Sequence, residues 1–192
     1  MITKRDASTA AFLSTVPVFH DLKGPSLEVL FEFLEERRWN VGDHICDEGD
    51  DSEASQALFI IREGEVEVLR KSSRGVPQSI VKLGPGECFG EMTLIELQPR
   101  SATCIVRRNA VTYSLTNRDL WNLLRFYNFA YVIILQNICR MLSRRLRKAD
   151  SRIVEFLDAM SEAQKARMAA KKTAAPKAKA TAKKPTAKKK KK

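Results

Sequence analysis

Short β-branched runs separated by glycine are the feature that most limits the fold of this chain. Seven glycines interrupt the segment from Trp39 to Leu115, and the runs between them are five to six residues long. Strands of this length and spacing are typical of a small antiparallel β-barrel or sandwich. We predict a turn at Gly64-Glu65 and strands at residues 57–61, 65–69, 79–83, 102–106 and 110–115.

Helical patterns precede this segment. Residues 11–37 place apolar side chains at steps of three and four, interrupted by Pro17 and by Gly24-Pro25, which predicts short helices. We expect Ser26 to be the N-cap of one of them. Together, the helices and the antiparallel strands indicate an α+β fold with a jelly-roll-like barrel.

A second helical region begins near residue 117. Thr116 or Asn117 is the expected cap, with Asp119 in the first turn. A longer helix is predicted from Asn128 to Lys165, because apolar or small residues recur at steps of three and four. These residues form one continuous stripe at positions 131, 135, 138, 142, 146, 149, 153, 157 and 160.

This stripe is longer than packing on a small barrel requires. Part of it is therefore expected to face a partner, most simply a second copy of the chain in a homodimer. The other face of the helix is basic, but acidic residues follow it, which favours a solvated face over a nucleic-acid groove-binding helix. The basic residues are Arg140, Arg144, Arg145, Arg147, Lys148 and Arg152.

The net charge of +11 is concentrated at the C-terminus. Residues 1–170 contain 23 basic and 23 acidic side chains, whereas residues 171–192 contain eleven lysines and no acid. A uniformly basic nucleic-acid-binding fold is therefore excluded. The Lys, Ala, Pro and Thr repeats of the tail resemble the tail of a linker histone and predict disorder, because they cannot bury a core.

These patterns divide the chain into three parts. We predict a folded domain at 1–126, a long helix at 127–165 and a disordered basic tail at 166–192. The tail is expected to contact DNA, RNA or another polyanion without sequence preference, or else only to keep the protein in solution.

Several classes of protein are not expected from this sequence. The apolar stretch Phe129 to Ile138 is about half the ~20 residues that a membrane-spanning helix needs, and we find no signal peptide, so a cytoplasmic protein is expected. The four cysteines form no CxxC pair and favour reduced structural thiols over a metal site. His20 and His44 have no partner set for catalysis, and we predict no enzymatic activity.

The most specific chemical pattern lies at Phe89-Gly90-Glu91 and Pro99-Arg100-Ser101-Ala102-Thr103. A short helical turn after Gly90 would offer backbone N–H groups to an anion, and a guanidinium can hold phosphate oxygens with two hydrogen bonds. A carboxylate beside such a site suits a ligand that also carries hydroxyl groups. The pair Glu91 and Arg100 therefore indicates a ribose phosphate.

This pattern resembles the phosphate-binding cassette of the cyclic nucleotide-binding domain family. The family includes the catabolite activator protein, the regulatory subunits of cyclic-AMP-dependent protein kinase and the cyclic-nucleotide-gated channels. Other landmarks of the family occur in order, and together they cover about residues 12–150. They are Val16-Pro17-Val18-Phe19, Val41-Gly42-Asp43, Glu48-Gly49-Asp50, Leu58-Phe59-Ile60-Ile61, Gly64-Glu65-Val66-Glu67-Val68 and Leu83-Gly84-Pro85-Gly86.

The resemblance implies a role for each matching residue, with cyclic AMP or cyclic GMP as the ligand and no other cofactor. Gly90 and Glu91 would hold the ribose 2′-hydroxyl. Arg100, with the backbone of Met92, Thr93, Ser101 and Ala102, would hold the cyclic phosphate. Val68, Ile80 and Val81 match positions that line the base and sugar, although a plain core role fits these three residues equally well.

The base is the least determined part of the ligand. A hydroxyl at the position of Ser101 helps to select guanine in the resembling kinases, but serine is also common there in cyclic-AMP receptors. We favour cyclic AMP. The base is expected to be capped from the long helix, with Leu142 and Arg145 as the candidates.

The sequence departs from the family pattern at a few positions. Thr93 stands where the family usually has Ala or Ser, and Glu96-Leu97-Gln98 replaces a stretch that often contains glycine. The catabolite activator members carry a helix-turn-helix domain after the long helix, and we expect none in the 27 residues after Lys165.

Two functional interpretations remain open. The first is a cyclic nucleotide receptor that signals by movement of its C-terminal helix. The second is a histone-like, nucleic-acid-associated protein in which the cyclic-nucleotide fold is a vestigial dimerisation module. Ligand control of how a dimer presents two lysine tails would combine the two.

Overall fold

The computed structural model describes residues 7–53, 55–96 and 98–173, and it describes side chains as far as residue 166. The predicted disordered tail covers residues 166–192, and its part from residue 174 to 192 lies outside the described residues. The chain divides into two compact units, Met1–Arg144 and Arg145–Lys192. Within the described ranges, no helix combines the length and the apolar character needed to cross a bilayer.

Four short helices open the first unit. They are α1 (Ala7–Thr15), a 3-10 helix (Pro17–Phe19), α2 (Pro25–Glu28) and α3 (Leu30–Phe33). The prediction of Ser26 as an N-cap is wrong, because Gly24 is the N-cap and Pro25 is the first helical residue. Proline suits that position, since its fixed φ fits a helix and its missing N–H would have no helical acceptor there.

Six antiparallel strands form one sheet. They are β1 (Glu35–Trp39), β2 (His44–Cys46), β3 (Ala57–Lys71), β4 (Pro77–Leu83), β5 (Cys88–Phe89) and β6 (Thr103–Thr116). Their order is β1-β6-β3-β4, with β2 paired to β6 and β5 paired to β3. Among the strands of the described residues, β1 and β4 do not pair with each other, so the predicted barrel is not closed. The α+β architecture itself is as predicted.

The predicted runs 57–61 and 65–69 belong to one fifteen-residue strand, β3, and the last two runs similarly join in β6. The predicted turn at Gly64-Glu65 is wrong. Gly64 has φ +92°, and a Cβ there would collide with the main chain of Arg108 to Ala110 on β6. Register shifts around Glu63 and Glu65 make this position a bulge in a continuous ladder rather than a turn.

Three strands were missed by the sequence analysis. β1 has the sequence EERRW, whose four charged residues give no apolar alternation, yet it pairs with β6 along its whole length. β2 and β5 have three and two residues, which is too short for a periodic pattern. These strands are defined by their pairing with a longer strand, which is β6 for β1 and β2 and β3 for β5.

The core consists of two clusters, one on each face of β3. The helical cluster contains Leu58 and Ile60 with residues from the N-terminal helices and from the helices that follow β6, and the inner cluster contains Phe59 and Ile61. This alternation is the two-residue period of a strand whose faces are both covered. In the inner cluster, the rings of Phe59 and Phe89 stack with centroids 5.3 Å apart.

Helix α5 (Asn117–Phe126) begins as predicted. Thr116 is its N-cap, with a capping box in which the Thr116 hydroxyl accepts from the Asp119 N–H and the Asp119 carboxylate accepts from the Thr116 N–H. Helix α6 (Asn128–Thr173) starts at the predicted residue and ends beyond the predicted Lys165. Residues 166–173 are therefore helical, and the predicted boundary of the tail at residue 166 is too early.

The first part of α6 packs against the domain. Ile134 and Ile138 are fully buried in the helical cluster, with Met141 and Leu142 at its border. The buried amide of Asn137 donates to the carbonyl oxygens of Val18 and His20. These contacts connect α6 to the 3-10 helix within the first unit.

The second unit contains the rest of α6, whose side chains are exposed from Arg145 to residue 166. The exposed residues include large apolar ones, each more than half accessible to solvent. They are Leu146, Ile153, Val154, Phe156, Leu157 and Met160. Among the described residues, the predicted apolar stripe is therefore exposed over this part of the helix.

Candidate functional site

The site is built around the short connection between β5 and a one-turn helix, α4 (Glu91–Glu96). Gly90 lies at this connection with φ +83°. A Cβ at residue 90 would collide with the guanidinium of Arg100 and with the carbonyl oxygen of Ala57. Only glycine combines the left-handed backbone with this close approach.

The segment after α4 carries Arg100, and main-chain hydrogen bonds fix it to the loop after β2. The Arg100 N–H donates to the carbonyl oxygen of Asp50 at 2.8 Å, and the Gly49 N–H donates to the carbonyl oxygen of Arg100 at 2.8 Å. The loop itself is ordered by the Ser52 N–H, which donates to the Asp50 carboxylate at 2.8 Å. Hydrogen bonds from Ser52 hold the pKa of Asp50 below its usual value.

The guanidinium of Arg100 is buried, with 5% of the residue exposed. Its Nη2 donates to the carbonyl oxygen of Ala57 at 2.8 Å, and its Nη1 donates to the hydroxyl of Thr93 at 3.3 Å. Its Cζ lies 5.5 Å from the centre of the Phe59 ring, within the range of a cation–π contact. Among the residues that the structure describes, the buried Nε has no hydrogen-bond partner.

The predicted binding residues of α4 alternate between buried and exposed. Glu91 and Thr93 are buried, whereas Met92 is 41% exposed. Glu96, a departure from the family pattern, is exposed. Ser101 is exposed and Ala102 half-buried at the start of the segment that leads into β6. Gly90, Glu91, Thr93 and Arg100 are thus brought together, with Met92 and Ser101 at the surface.

The predicted lining residues lie on the β3-β4 ladder. Val68 pairs with Val81, and the register then shifts so that Leu69 pairs with Ser79, which leaves Ile80 as an extra residue on β4. Val68 packs against the inner cluster, whereas Ile80 and Val81 are substantially exposed. Exposed apolar side chains of this kind can cover the apolar part of a ligand.

Glu67 anchors the same ladder. Its carboxylate accepts from the Ser79 hydroxyl at 2.6 Å and from Arg107 Nε at 2.7 Å, and these bonds keep the pKa of Glu67 below its usual value. Glu67 therefore ties β3 to β4 and β6 beside Val68.

Two thiols lie between β2 and β6, where Cys46 pairs with Cys104 in the register. Both are buried and reduced. A hydrogen bond with Cys46 and burial raise the pKa of the Cys104 thiol.

The two predicted base-capping residues belong to different units. Leu142 is half-buried and packs at the border of the helical cluster. Arg145 is the first residue of the second unit and is exposed. Their role toward a base stays a prediction.

Sequence reasoning missed three partners of Arg100. The Ala57 acceptor is a main-chain carbonyl, which leaves no trace in a sequence. Phe59 looks like an ordinary core aromatic residue, and Thr93 was expected to contribute only its backbone. Glu48-Gly49-Asp50 was recognised as a landmark, but its contact with the main chain of Arg100 could not be derived from it.

The chemistry available at this site is recognition of an anion. A buried guanidinium with an unsatisfied Nε suits an anionic oxygen, because a buried polar group without a partner costs about 1–3 kcal/mol. Glu91, the first residue of α4, adds a buried carboxylate next to the glycine that contacts Arg100. The residues present therefore fit a ligand with a phosphate and hydroxyl groups.

Comparison with known proteins identifies the same region. Residues 36–127 match the family model of the cyclic nucleotide-binding domain. The cyclic AMP receptor protein of Thermus thermophilus is 31% identical over 134 residues, which are 70% of this chain and 59% of that protein. The human cGMP-dependent protein kinase 2 is 33% identical over 119 residues, 62% of this chain and 15% of the kinase.

The fold agrees with these matches. The crystal structure of the Thermus thermophilus catabolite activator protein superposes with a TM-score of 0.64 at 30% identity, over 76% of this chain and 63% of that chain. The chain thus spans about three fifths of the length of the bacterial relative and a small part of the kinase.

The close packing at Gly90 predicts a matched pair of glycine variants. Gly90→Ala should destabilise the protein by at least about 2 kcal/mol, because a side chain adds a collision with Arg100 and Ala57 to the strain of a positive φ. Gly86→Ala should cost only about 1 kcal/mol, since φ is +84° there but nothing lies within 4 Å of the added Cβ. Urea unfolding measures both, and equal losses would contradict the close approach.

Proposed function

We propose that this protein is a cytoplasmic, non-enzymatic receptor for a cyclic nucleotide, because residues 36–127 match the family model of the cyclic nucleotide-binding domain. It prefers cyclic AMP to cyclic GMP and signals through α6. The observation that carries this proposal is the buried Arg100 guanidinium, held by Ala57 and Thr93 and left with an unsatisfied Nε.

In this receptor, Arg100 binds the cyclic phosphate together with the backbone of Met92, Thr93, Ser101 and Ala102. Glu91, after Gly90, accepts a hydrogen bond from the ribose 2′-hydroxyl. The apolar side chains of Val68, Ile80 and Val81 cover the sugar and base, and Leu142 and Arg145 are the candidates for capping the base. The relatives include proteins named for each nucleotide, and competition between cyclic AMP and cyclic GMP for the site measures the preference.

Two contacts support signalling from the site to α6. The Cys88 thiol of β5, two residues before Gly90, donates to the sulfur of Met141 at 3.3 Å. Leu94 of α4 is buried in the same cluster as Ile134 and Ile138 of α6. A ligand that shifts α4 or Gly90 changes the surface on which this part of α6 packs, and the helix responds.

We further propose that the exposed part of α6 dimerises with a second copy. Leu146, Ala149, Ile153, Phe156 and Met160 recur at alternating steps of three and four, the spacing of a coiled-coil seam. The large residues of this set are more than half exposed. Burying them against the same face of another chain removes this apolar surface from water.

The second candidate function rests on charge. Residues 171–192 hold eleven lysines and no acid, a composition that binds phosphate polymers by releasing counterions. A histone-like protein with a vestigial ligand site would use only this tail. The burial of Glu91 and Arg100 on either side of the close contact at Gly90 supports the receptor instead.

The receptor predicts stabilisation by ligand. Cyclic AMP at 100 times its dissociation constant should add about 2.7 kcal/mol to the free energy of unfolding, because only the folded state binds it. Arg100→Ala should lose at least about tenfold in affinity, since it removes charge-assisted hydrogen bonds. Thermal unfolding with and without nucleotide measures the stabilisation of the wild type and its loss in Arg100→Ala. A melting temperature of the wild type that is unchanged at millimolar cyclic AMP and cyclic GMP would refute the receptor.

The roles of Glu91 and Arg100 are distinguished by a change in the sugar of the ligand. Glu91→Ala should weaken cyclic AMP much more than 2′-deoxy cyclic AMP, which already lacks the hydroxyl. Equal losses for the two ligands would remove the ribose role from Glu91 and leave the phosphate role of Arg100 intact.

The coiled-coil seam predicts a specific loss of dimer. Ile153→Asp places a charge in the seam and should shift the chain from dimer to monomer in sedimentation velocity. Lys148→Asp introduces the same side chain on the opposite face of the helix and should leave the dimer intact. A wild-type monomer at tens of micromolar, or the same loss in both variants, would contradict this interface.

The tail predicts a salt-dependent interaction with duplex DNA. About half a dozen phosphate contacts give a slope near −5 for log affinity against log salt concentration. A variant ending at Thr173, where α6 ends, removes nine lysines and should lose DNA retention while keeping nucleotide affinity. If the slope survives, a charge-neutral variant of Arg147, Lys148 and Arg152 will show whether the basic face of α6 is the contact.

A further inference from the structure

The hydroxyl of Thr93 occupies a defined place between two groups of the site. It donates to the carbonyl oxygen of Gly90 at 2.8 Å, so its hydrogen is used within the turn that begins α4. Its oxygen then accepts from Nη1 of Arg100 at 3.3 Å. Both residues are at least 95% buried, which protects this pair of bonds from competition by water.

The second fixed point of the guanidinium is the Ala57 carbonyl at the start of β3. It accepts from Nη2 at 2.8 Å, whereas Thr93 accepts from Nη1. A single acceptor would allow the planar group to pivot about that bond. Two acceptors on different nitrogen atoms, from different elements, define the plane, and no described residue accepts a hydrogen bond from the buried Nε.

We propose that Thr93 is a positioning residue, whose hydroxyl orients the Arg100 guanidinium so that its Nε edge meets an anionic oxygen of the ligand. This inference rests on the proposed function and deepens it. The role assigned to Thr93 belongs to its side chain and acts through Arg100, in addition to any contact of its backbone with the phosphate.

The effect follows from preorganisation. A guanidinium that is already oriented loses less rotational freedom when it binds, and its hydrogen bonds to an oxyanion form at the correct angles. Without the hydroxyl, Arg100 keeps the Ala57 bond but pivots, and part of the binding free energy is used to orient it. The loss therefore appears in affinity for the ligand more than in stability of the free protein.

The test uses the full-length chain and cyclic AMP as the probe. Thr93→Val keeps the shape and removes the hydroxyl, and it should weaken cyclic AMP about tenfold in competition against a fluorescent cyclic nucleotide. Thr93→Ser restores the hydroxyl and should bind within about threefold of the wild type. A Thr93→Val protein that binds like the wild type, or a Thr93→Ser protein as weak as Thr93→Val, would overturn the proposal.

A matched control separates positioning from packing. Thr112 is fully buried and accepts from Trp39 Nε1 at 2.9 Å, but it belongs to the β1-β6 ladder. Thr112→Val also removes a buried hydroxyl, and it should lower the melting temperature without changing affinity. If Thr112→Val weakens binding as much as Thr93→Val, general loosening of the fold explains the result.

The coupling to Arg100 is measured directly by a double-mutant cycle. In an Arg100→Lys background the guanidinium plane no longer exists, so Thr93→Val should have little further effect on affinity. The same tenfold loss in both backgrounds would show that Thr93 acts independently of Arg100 and would refute positioning.

A ligand-free measurement distinguishes failure of this inference from failure of the receptor. The Nε–Hε signal of Arg100 in a nitrogen-15 relaxation experiment should report a rigid group in the wild type and in Thr93→Ser, and a mobile group in Thr93→Val. Equal rigidity in all three proteins overturns the positioning role, whether or not nucleotide binds. If the rigidity pattern is as expected but neither cyclic AMP nor cyclic GMP binds, the result refutes the receptor and does not refute the orientation of Arg100 by Thr93.

Discussion

Burial of the Arg100 charge is the constraint on which the site and much of its surroundings depend. Taking a guanidinium out of water is costly unless fixed acceptors replace the lost hydration. Here the guanidinium has three such contacts: the strand carbonyl of Ala57, the helix hydroxyl of Thr93 and the face of Phe59. Removing any one of these would leave a buried cation less well compensated.

The strand β3 connects this site to the rest of the domain. It pairs with β4, β5 and β6, and it carries Ala57 and Phe59 at one end and Val68 further along. The bulge at Gly64 allows one strand to serve both regions, because β3 continues through a position where the β6 backbone comes too close for any side chain. The positions of the Ala57 acceptor and of Val68, which we propose to line the ligand site, are therefore set by the same strand.

Local patterns in the sequence predicted much of this arrangement, and long-range pairing explains what they missed. The start of α5, for which Thr116 was one of two predicted caps, and the start of α6 at Asn128 depend on neighbouring residues and were predicted correctly. β1 has no apolar alternation, and only its ladder with β6 makes it a strand. At the site, Gly90, Glu91 and Arg100 were recognised as a set, but the carbonyl of Ala57 and the hydroxyl of Thr93 depend on which segments meet in space. The sheet is open rather than closed into a barrel because, among the described strands, β1 and β4 do not pair with each other, which the number of strands does not reveal.

The distribution of thiols has a practical consequence for spectroscopy. Cys46, Cys88 and Cys104 are buried, whereas Cys139 is exposed on α6, directly after Ile138, which anchors this helix to the domain. A maleimide dye will therefore react selectively at one native position. The chain supplies its own attachment point for a fluorescent label on α6, and changes in the environment of that helix can be recorded without introducing a single substitution.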